Sequence, residues 1–147
     1  MASDAVLLIQ ATLAPIFLVS GAAIFLNFTQ ARLFRVIDRL RSVTKELGKE
    51  ENERERENLA WQRTRQLRRA VILRNAILFG VLVIASTVLT TLLILLPTEL
   101  GAVDAGHWPI YTFTLALVCF AVALGLVVVD AFLSVAAARH VAREFPG

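Results

Sequence analysis

The stretch that decides the fold is AVLLIQATLAPIFLVSGAAIFLNF, residues 5–28, which contains 24 consecutive residues without a charge. An α-helix of this length measures about 36 Å, enough to cross a hydrocarbon core of about 30 Å with some tilt. The stretch exceeds the about 7–15 apolar residues of a signal peptide, and no basic residue precedes it. We therefore predict a retained transmembrane helix over 5–28.

Two further apolar runs follow later in the chain. The second, at 72–96, ends before Pro97, which is expected to stop the helix. The third, at 110–133, is uncharged until it reaches Asp130. The segment 97–109 between them holds two prolines and two glycines, which predicts a loop. The sequence thus predicts an all-α membrane protein with three transmembrane helices.

The overall composition agrees with that architecture. Apolar residues make up 57% of the chain and charged residues 18%, and the mean hydropathy is +0.68. Soluble domains average about 45–50% apolar and about 25% charged residues. This composition excludes a disordered chain. The single cysteine, Cys119, excludes a scaffold held by intrachain disulfides, and we expect it to act as a small hydrophobic residue.

The positions of the basic residues predict how the chain is threaded. All 15 Lys and Arg lie within 31–74 or in the tail 134–147. By the positive-inside rule, the N-terminus and the loop 97–109 lie outside, and the segment 31–70 and the tail lie in the cytoplasm. We expect a multi-pass protein of the inner (plasma) membrane.

The cytoplasmic segment 31–70 must leave the membrane and return to the same face. We therefore predict an antiparallel helical hairpin between the first and second spans, with its turn near 48–52. Gly48 suits the end of the outgoing helix. Asn52 and Glu55 have the spacing of a capping box that begins the return helix.

Each arm of this hairpin carries a candidate apolar stripe at helical spacing. The outgoing stripe is Leu33, Val36, Ile37, Leu40, Val43 and Leu47, and the return stripe is Ala60, Thr64, Leu67 and Val71. The first stripe is richer than the second can cover, which favours a further partner, either another copy or a different protein. The alternative is a hairpin that closes on itself.

A polar cluster is predicted at the inner membrane boundary. It comprises Asn27, Gln30, Arg74, Asn75 and Asp130. We expect Asp130 to pair with Arg74, either as a salt bridge that sets helix register or as part of an ion or proton pathway. The shallow depth of Asp130 favours the salt bridge.

Four hydroxyl residues, Ser86, Thr87, Thr90 and Thr91, cluster in the second span. They are candidates for the wall of a pore formed between subunits. Hydroxyls in membrane spans more often bond to their own helix or to a neighbouring one.

The sequence contains no phosphate-binding loop, nucleophile motif or metal-ligand spacing, so we assign no catalytic residue, cofactor or metal. His107, Glu99 and Asp104 share the outer loop without ligand spacing and are poor evidence for an ion site. The basic run Arg63-x-Arg65-x-x-Arg68-Arg69 lies beside a span, so anionic lipid head groups are its expected partner and nucleic acid is not.

The stretch from Ala14 to Gly21 through Asn27, followed by RLFRVIDRLR at 32–41, resembles a family of small bacterial membrane proteins known only as a domain of unknown function. In that family a first span runs into a basic helix, and two further spans follow a charged segment. The resemblance implies the same layout and a bacterial membrane, and it implies no activity. It directs attention to a candidate interaction helix containing Leu33, Arg35, Ile37, Asp38, Arg39, Leu40 and Arg41.

These observations lead to one expectation about function and one alternative. We expect a non-enzymatic protein, either a self-associating scaffold or a subunit of a membrane complex, that uses its hairpin for interaction. The alternative is a homo-oligomeric ion channel, because three spans in one chain cannot enclose a pathway alone.

Overall fold

The fold was analysed in a computed structural model that describes residues 2–49, 51–100 and 107–144, with side chains described for 13–49, 51–95 and 107–134. Three helices account for almost all of these residues: α1 (Ala2–Leu47), α2 (Glu53–Leu100) and α3 (Trp108–Glu144). No strand occurs in the described ranges. The prediction of an all-α chain is confirmed.

Each helix contains a stretch that is long and apolar enough to cross a membrane. Such a stretch needs about 20 residues, because the hydrocarbon core is about 30 Å thick and a helix rises 1.5 Å per residue. Three candidate spans indicate a multi-pass membrane protein, as the sequence predicts. Helix α1 continues without interruption from the first apolar run into the basic segment that follows it.

The break between α1 and α2 falls at the predicted position. The N–H of Gly48 donates to the Thr44 carbonyl over 3.3 Å, and α2 begins at Glu53. Asn52 Oδ1 accepts a hydrogen bond of 3.3 Å from the N–H of Arg54. This bond satisfies one of the donors that a helix start leaves unpaired, so Asn52 is the N-cap of α2, as predicted.

Gly48 is not required by the backbone at this turn. Its φ lies outside the left-handed region, and an added Cβ would make only ordinary contacts, of 3.7 Å and 3.8 Å, with the carbonyls of Lys45 and Thr44. The helix therefore ends here without the left-handed glycine that often terminates helices.

The predicted loop 97–109 is too long at both ends. Helix α2 continues through Pro97 to Leu100, and α3 begins at Trp108. Pro97 lies in the last turn of α2, so the prediction that it stops the helix is wrong by one turn. Pro109 lies in the first turn of α3, where the N–H that proline lacks has no partner within the helix. Residues 101–106 lie outside the described part.

The chain divides into two compact units, and each helix contributes a segment to both. Unit 1 comprises Met1–Asn27 and Leu78–Ala123, and unit 2 comprises Phe28–Ile77 and Leu124–Gly147.

Small side chains form the core of unit 1. Its buried cluster consists of Ala22, Val83, Ala116 and Cys119. Gly80 marks a close approach of α2 to α1, because a Cβ there would lie 2.6 Å from Cδ2 of Leu26. Small residues let membrane helices approach closely, and this unit uses them in that way. The buried environment of Cys119 also confirms its expected role as a small hydrophobic residue.

In unit 2 the outgoing stripe of α1 is covered, although the sequence predicts that part of it is left over for a partner. All six of its members, from Leu33 to Leu47, are buried or partly buried, and Val36 and Val43 are buried most deeply. The surplus apolar surface expected on this stripe is therefore largely used within the chain.

The prediction that the return stripe faces the outgoing stripe, in contrast, is wrong. Its four members, Ala60, Thr64, Leu67 and Val71, are all exposed. The inward face of this part of α2 instead carries Gln66, Arg69 and Leu73, which are buried or partly buried. On this face Arg69 binds the buried carboxylate of Asp130, and Leu73 is fully buried.

Candidate functional site

The candidate site is centred on Asp130, which lies on the α3 segment of unit 2. Its side chain has no exposed surface. A carboxylate removed from water is costly unless it is paired and hydrogen-bonded. The residues that pair with it therefore define the site.

Two arginines from the other two helices bind this carboxylate. Arg69 of α2 places Nε 2.8 Å from Oδ1 and Nη2 3.5 Å from Oδ2. Arg32 of α1 places Nη2 3.3 Å from Oδ2. The Arg69 contact has the forked geometry in which a guanidinium spans both oxygens. One carboxylate thus joins segments of all three helices in unit 2, an arrangement called here the Asp130 clamp.

The prediction that Asp130 pairs with Arg74 is wrong. Arg74 is exposed, and it lies about 140° around α2 from Arg69 because helical residues advance by about 100° each. The sequence identified the carboxylate but not the face of α2 that meets it. The remaining members of the predicted cluster, Asn27, Gln30 and Asn75, are also exposed.

Further contacts hold the guanidinium groups around the clamp. The guanidinium carbon of Arg32 lies 5.6 Å from the centroid of the Phe28 ring. Arg65 donates from Nη2 to the Leu133 carbonyl over 3.1 Å. Its guanidinium carbon lies 5.2 Å from the centroid of the Trp61 ring. Cations over aromatic faces are attracted by the ring quadrupole. Each of the two ring contacts lies within a single helix, and the Arg65–Leu133 bond joins α2 to α3.

The hydroxyl cluster of the second span lies in unit 1 and bonds within the protein. Thr87 donates to the Val83 carbonyl over 2.7 Å, and Thr91 donates to the Thr87 carbonyl over 3.0 Å. The Thr90 hydroxyl lies 2.8 Å from both the Ser86 carbonyl and the hydroxyl of Thr112 on α3. These bonds match the alternative given with the pore hypothesis, in which hydroxyls bond to their own helix or a neighbouring one. Ser86 is partly buried.

The candidate interaction helix presents two different faces. Leu33, Ile37 and Leu40 are partly buried, whereas its charged residues, Arg35, Asp38, Arg39 and Arg41, are exposed. Asp38 Oδ1 lies 3.7 Å from Nη1 of Arg41, one helical turn away. Such an exposed pair adds little stability. The charged face is therefore free for other interactions.

Beside the clamp lies a cavity of about 230 Å³, called here the arginine cavity. Its lining comprises Arg32, Arg35, Val36, Arg39, Gln66, Arg69 and Ser134. Sequence reasoning missed Gln66 and Ser134. A signal for them exists, because polar residues recur at helical spacing on each helix: 32, 35 and 39 on α1, 66 and 69 on α2, and 130 and 134 on α3.

The geometry of the clamp indicates what it does chemically. Both carboxylate oxygens face guanidinium groups, and the side chain is closed to solvent. This arrangement favours a structural connection between helices over a proton relay. Among the described residues, no three His, Cys, Asp or Glu side chains are grouped closely enough to hold a metal ion. Of the outer-loop residues, His107 is exposed, and Asp104 and the Glu99 side chain lie outside the described part.

Comparison with known proteins places the chain in a family. No curated protein and no solved structure matches it. A family model described as a protein of unknown function (DUF2721) matches residues 12–140. That match covers both the basic helix at 32–41 and the Asp130 clamp. The chain therefore belongs to the DUF2721 family.

Proposed function

We propose that this protein is a non-enzymatic scaffold of the inner membrane, which self-associates or joins a larger membrane complex. The observation that carries the proposal is an exposed apolar face on the first part of α2. Trp61, Leu67 and Val71 are 60%, 43% and 55% exposed. Leu67 and Val71 are one turn apart, and Trp61 lies about 80° from Val71 and about 120° from Leu67 around the helix, because helical residues advance by about 100° each. An apolar face left uncovered by its own chain is a candidate contact surface.

The internal packing supports the same proposal. The outgoing stripe of α1 is covered and the Asp130 clamp joins segments of three helices, so the inward faces of unit 2 are already occupied. A new partner would therefore meet the outward face of α2. This moves the proposed contact surface from the outgoing arm to the return arm.

The copy number in mild detergent, measured by native mass spectrometry, tests the proposal. We expect more than one copy per particle, or one stoichiometric foreign subunit from native membranes, and we expect Trp61→Ser to reduce the assembly. Phe34→Ser is the matched control, because Phe34 is an aromatic residue exposed to 65% on the outgoing arm. A monomer without a partner, or equal effects of the two variants, would contradict the proposal.

We also propose the threading in which the turn at 48–52 is cytoplasmic and the N-terminus is outside. The distribution of all 15 basic residues over 31–74 and 134–147 supports it. The test places a cysteine at position 48 in a Cys119→Ala background and applies a membrane-impermeant thiol reagent to intact cells. We expect labelling only after lysis, and labelling of intact cells would refute the threading.

A measurement of ion flux in liposomes distinguishes the channel alternative from the scaffold. Because the hydroxyls of Thr87, Thr90 and Thr91 bond within the protein, we expect no flux. Flux that is abolished by Thr91→Leu would favour the channel over the scaffold.

A further inference from the structure

The arginine cavity carries more positive charge than its carboxylate balances. Four guanidinium groups line it, and none of the described residues in its lining is acidic. Asp130 is shared between two of these groups, Arg32 and Arg69. One carboxylate against four guanidiniums leaves three positive charges at the cavity.

The two remaining arginines have donors to spare. Arg35 uses Nε to bind the Ala31 carbonyl at 3.3 Å, which leaves its two terminal amino groups for another acceptor. Arg39 also lines the cavity. The carboxylate nearest along α1 belongs to Asp38, which is directed to Arg41 and does not line the cavity.

A buried hydrogen-bond acceptor in the same lining indicates that the ligand also carries a hydrogen-bond donor. Gln66 Oε1 is buried and has no hydrogen-bond partner among the described residues. A buried polar atom without a partner is costly, and a ligand hydroxyl would satisfy this one. The hydroxyl of Ser134, also in the lining, can donate to an anionic oxygen.

The size and position of the arginine cavity further restrict the ligands that it can bind. The cavity volume of about 230 Å³ is below the about 300–1,000 Å³ of pockets for drug-sized molecules, so it suits a compact anion. On α1 the lining begins at Arg32, four residues after the uncharged run 5–28 ends. The cavity therefore lies just beyond the end of that run, which is the depth of lipid head groups.

We propose that the arginine cavity binds a phosphate group that carries or adjoins a hydroxyl, supplied either by an anionic phospholipid such as phosphatidylglycerol or by free phosphate. Arg35 and Arg39 bind the phosphate oxygens, since guanidinium forks match phosphate geometry. Gln66 accepts the ligand hydroxyl. The proposal does not depend on self-association of the chain.

Binding is tested on the full chain in a neutral detergent. Native mass spectrometry measures retention of phosphatidylglycerol against phosphatidylcholine, and thermal unfolding compares sodium phosphate with sodium chloride at equal ionic strength. The test variant is Arg35→Gln with Arg39→Gln. The matched control is Arg54→Gln with Arg56→Gln, which removes the same charge from exposed positions outside both the cavity and the basic run at 63–69.

We expect the test variant to weaken binding at least about tenfold, because it removes two charge-assisted contacts, and the control to stay within about twofold. Retention of phosphatidylglycerol without stabilisation by phosphate identifies the lipid as the ligand, and the reverse identifies free phosphate. Binding of neither probe, or equal losses in the two variants, would overturn the proposal.

Gln66→Glu provides a second, independent test. The new carboxylate would occupy the arginine cavity as a built-in anion, so it should abolish binding while raising the unfolding temperature. Unchanged binding in a folded Gln66→Glu protein would overturn the proposal, even if the arginine variants failed to fold.

Discussion

Arg69 and Asp130 are 61 positions apart in the chain, yet Nε of the arginine lies 2.8 Å from Oδ1 of the carboxylate. Arg32 approaches the other carboxylate oxygen to within 3.3 Å. The carboxylate is fully buried, so its cost of desolvation is offset only while these partners stay in place. This contact therefore makes the packing of unit 2 dependent on one acidic residue.

Replacement of Asp130 by Asn should strongly destabilise the protein. The amide retains the shape but leaves two partly buried guanidiniums without a counter-charge, which costs on the order of 3 kcal/mol. Unfolding of the purified protein by a denaturing detergent measures this change. The control is Asp38→Asn, because the Asp38–Arg41 pair is mostly exposed and its loss should cost less than about 1 kcal/mol. Equal stability of the two variants would refute a structural role for the clamp.

The two arginines of the clamp should differ in their tolerance of lysine. Arg69 contacts both carboxylate oxygens, whereas Arg32 contacts one of them. A lysine ammonium cannot reproduce the planar fork. We expect Arg69→Lys to lower the unfolding temperature more than Arg32→Lys, and the opposite order would show that the forked contact is not the stronger one.

A larger side chain should cost more stability at Gly80 than at Gly125. A Cβ at Gly80 would lie 2.6 Å from Leu26 Cδ2, but one at Gly125 would meet nothing within 4 Å. Gly80→Val should therefore cost about 1–3 kcal/mol through overpacking, and Gly125→Ala should leave stability unchanged or slightly raised. Introducing Leu26→Ala into Gly80→Val should restore part of the loss. Failure of this rescue would assign the cost to another contact.

The turn at 48–52 should depend on its cap and not on its glycine. Asn52→Ala removes the bond to the Arg54 N–H and should cost about 1 kcal/mol. Gly48→Ala should be harmless, because the φ of Gly48 is outside the left-handed region. Thermal unfolding of the two variants checks both expectations, and a larger loss for Gly48→Ala would contradict them.

Sequence reasoning predicted the parts of the fold that depend on local composition. The three apolar runs, the break after Leu47 and the N-cap at Asn52 follow from hydropathy and from short-range hydrogen bonding. The outgoing stripe was also predicted, because apolar residues on α1 repeat at a spacing that admits only one inward face.

The inward face of α2 was not predictable in the same way. Apolar periodicity selected Leu67 and Val71, but both are exposed, while Arg69 and Leu73 face the interior. Arg69 forms an ion pair with Asp130, which joins distant parts of the chain. A pattern of hydrophobic residues does not record such a pairing. The polar repeats at 66 and 69 and at 130 and 134 carry the missing signal, since they lie at helical spacing.

The most direct test of the clamp is a double-mutant cycle between Asp130 and Arg69. Asp130→Asn, Arg69→Gln and the double variant are compared with the unaltered protein by reversible unfolding in detergent. If Asp130 and Arg69 are in contact, the double variant should lose less free energy of unfolding than the two single variants lose together. The expected coupling free energy is at least about 1 kcal/mol. Additive losses, with no coupling between the two positions, would contradict it.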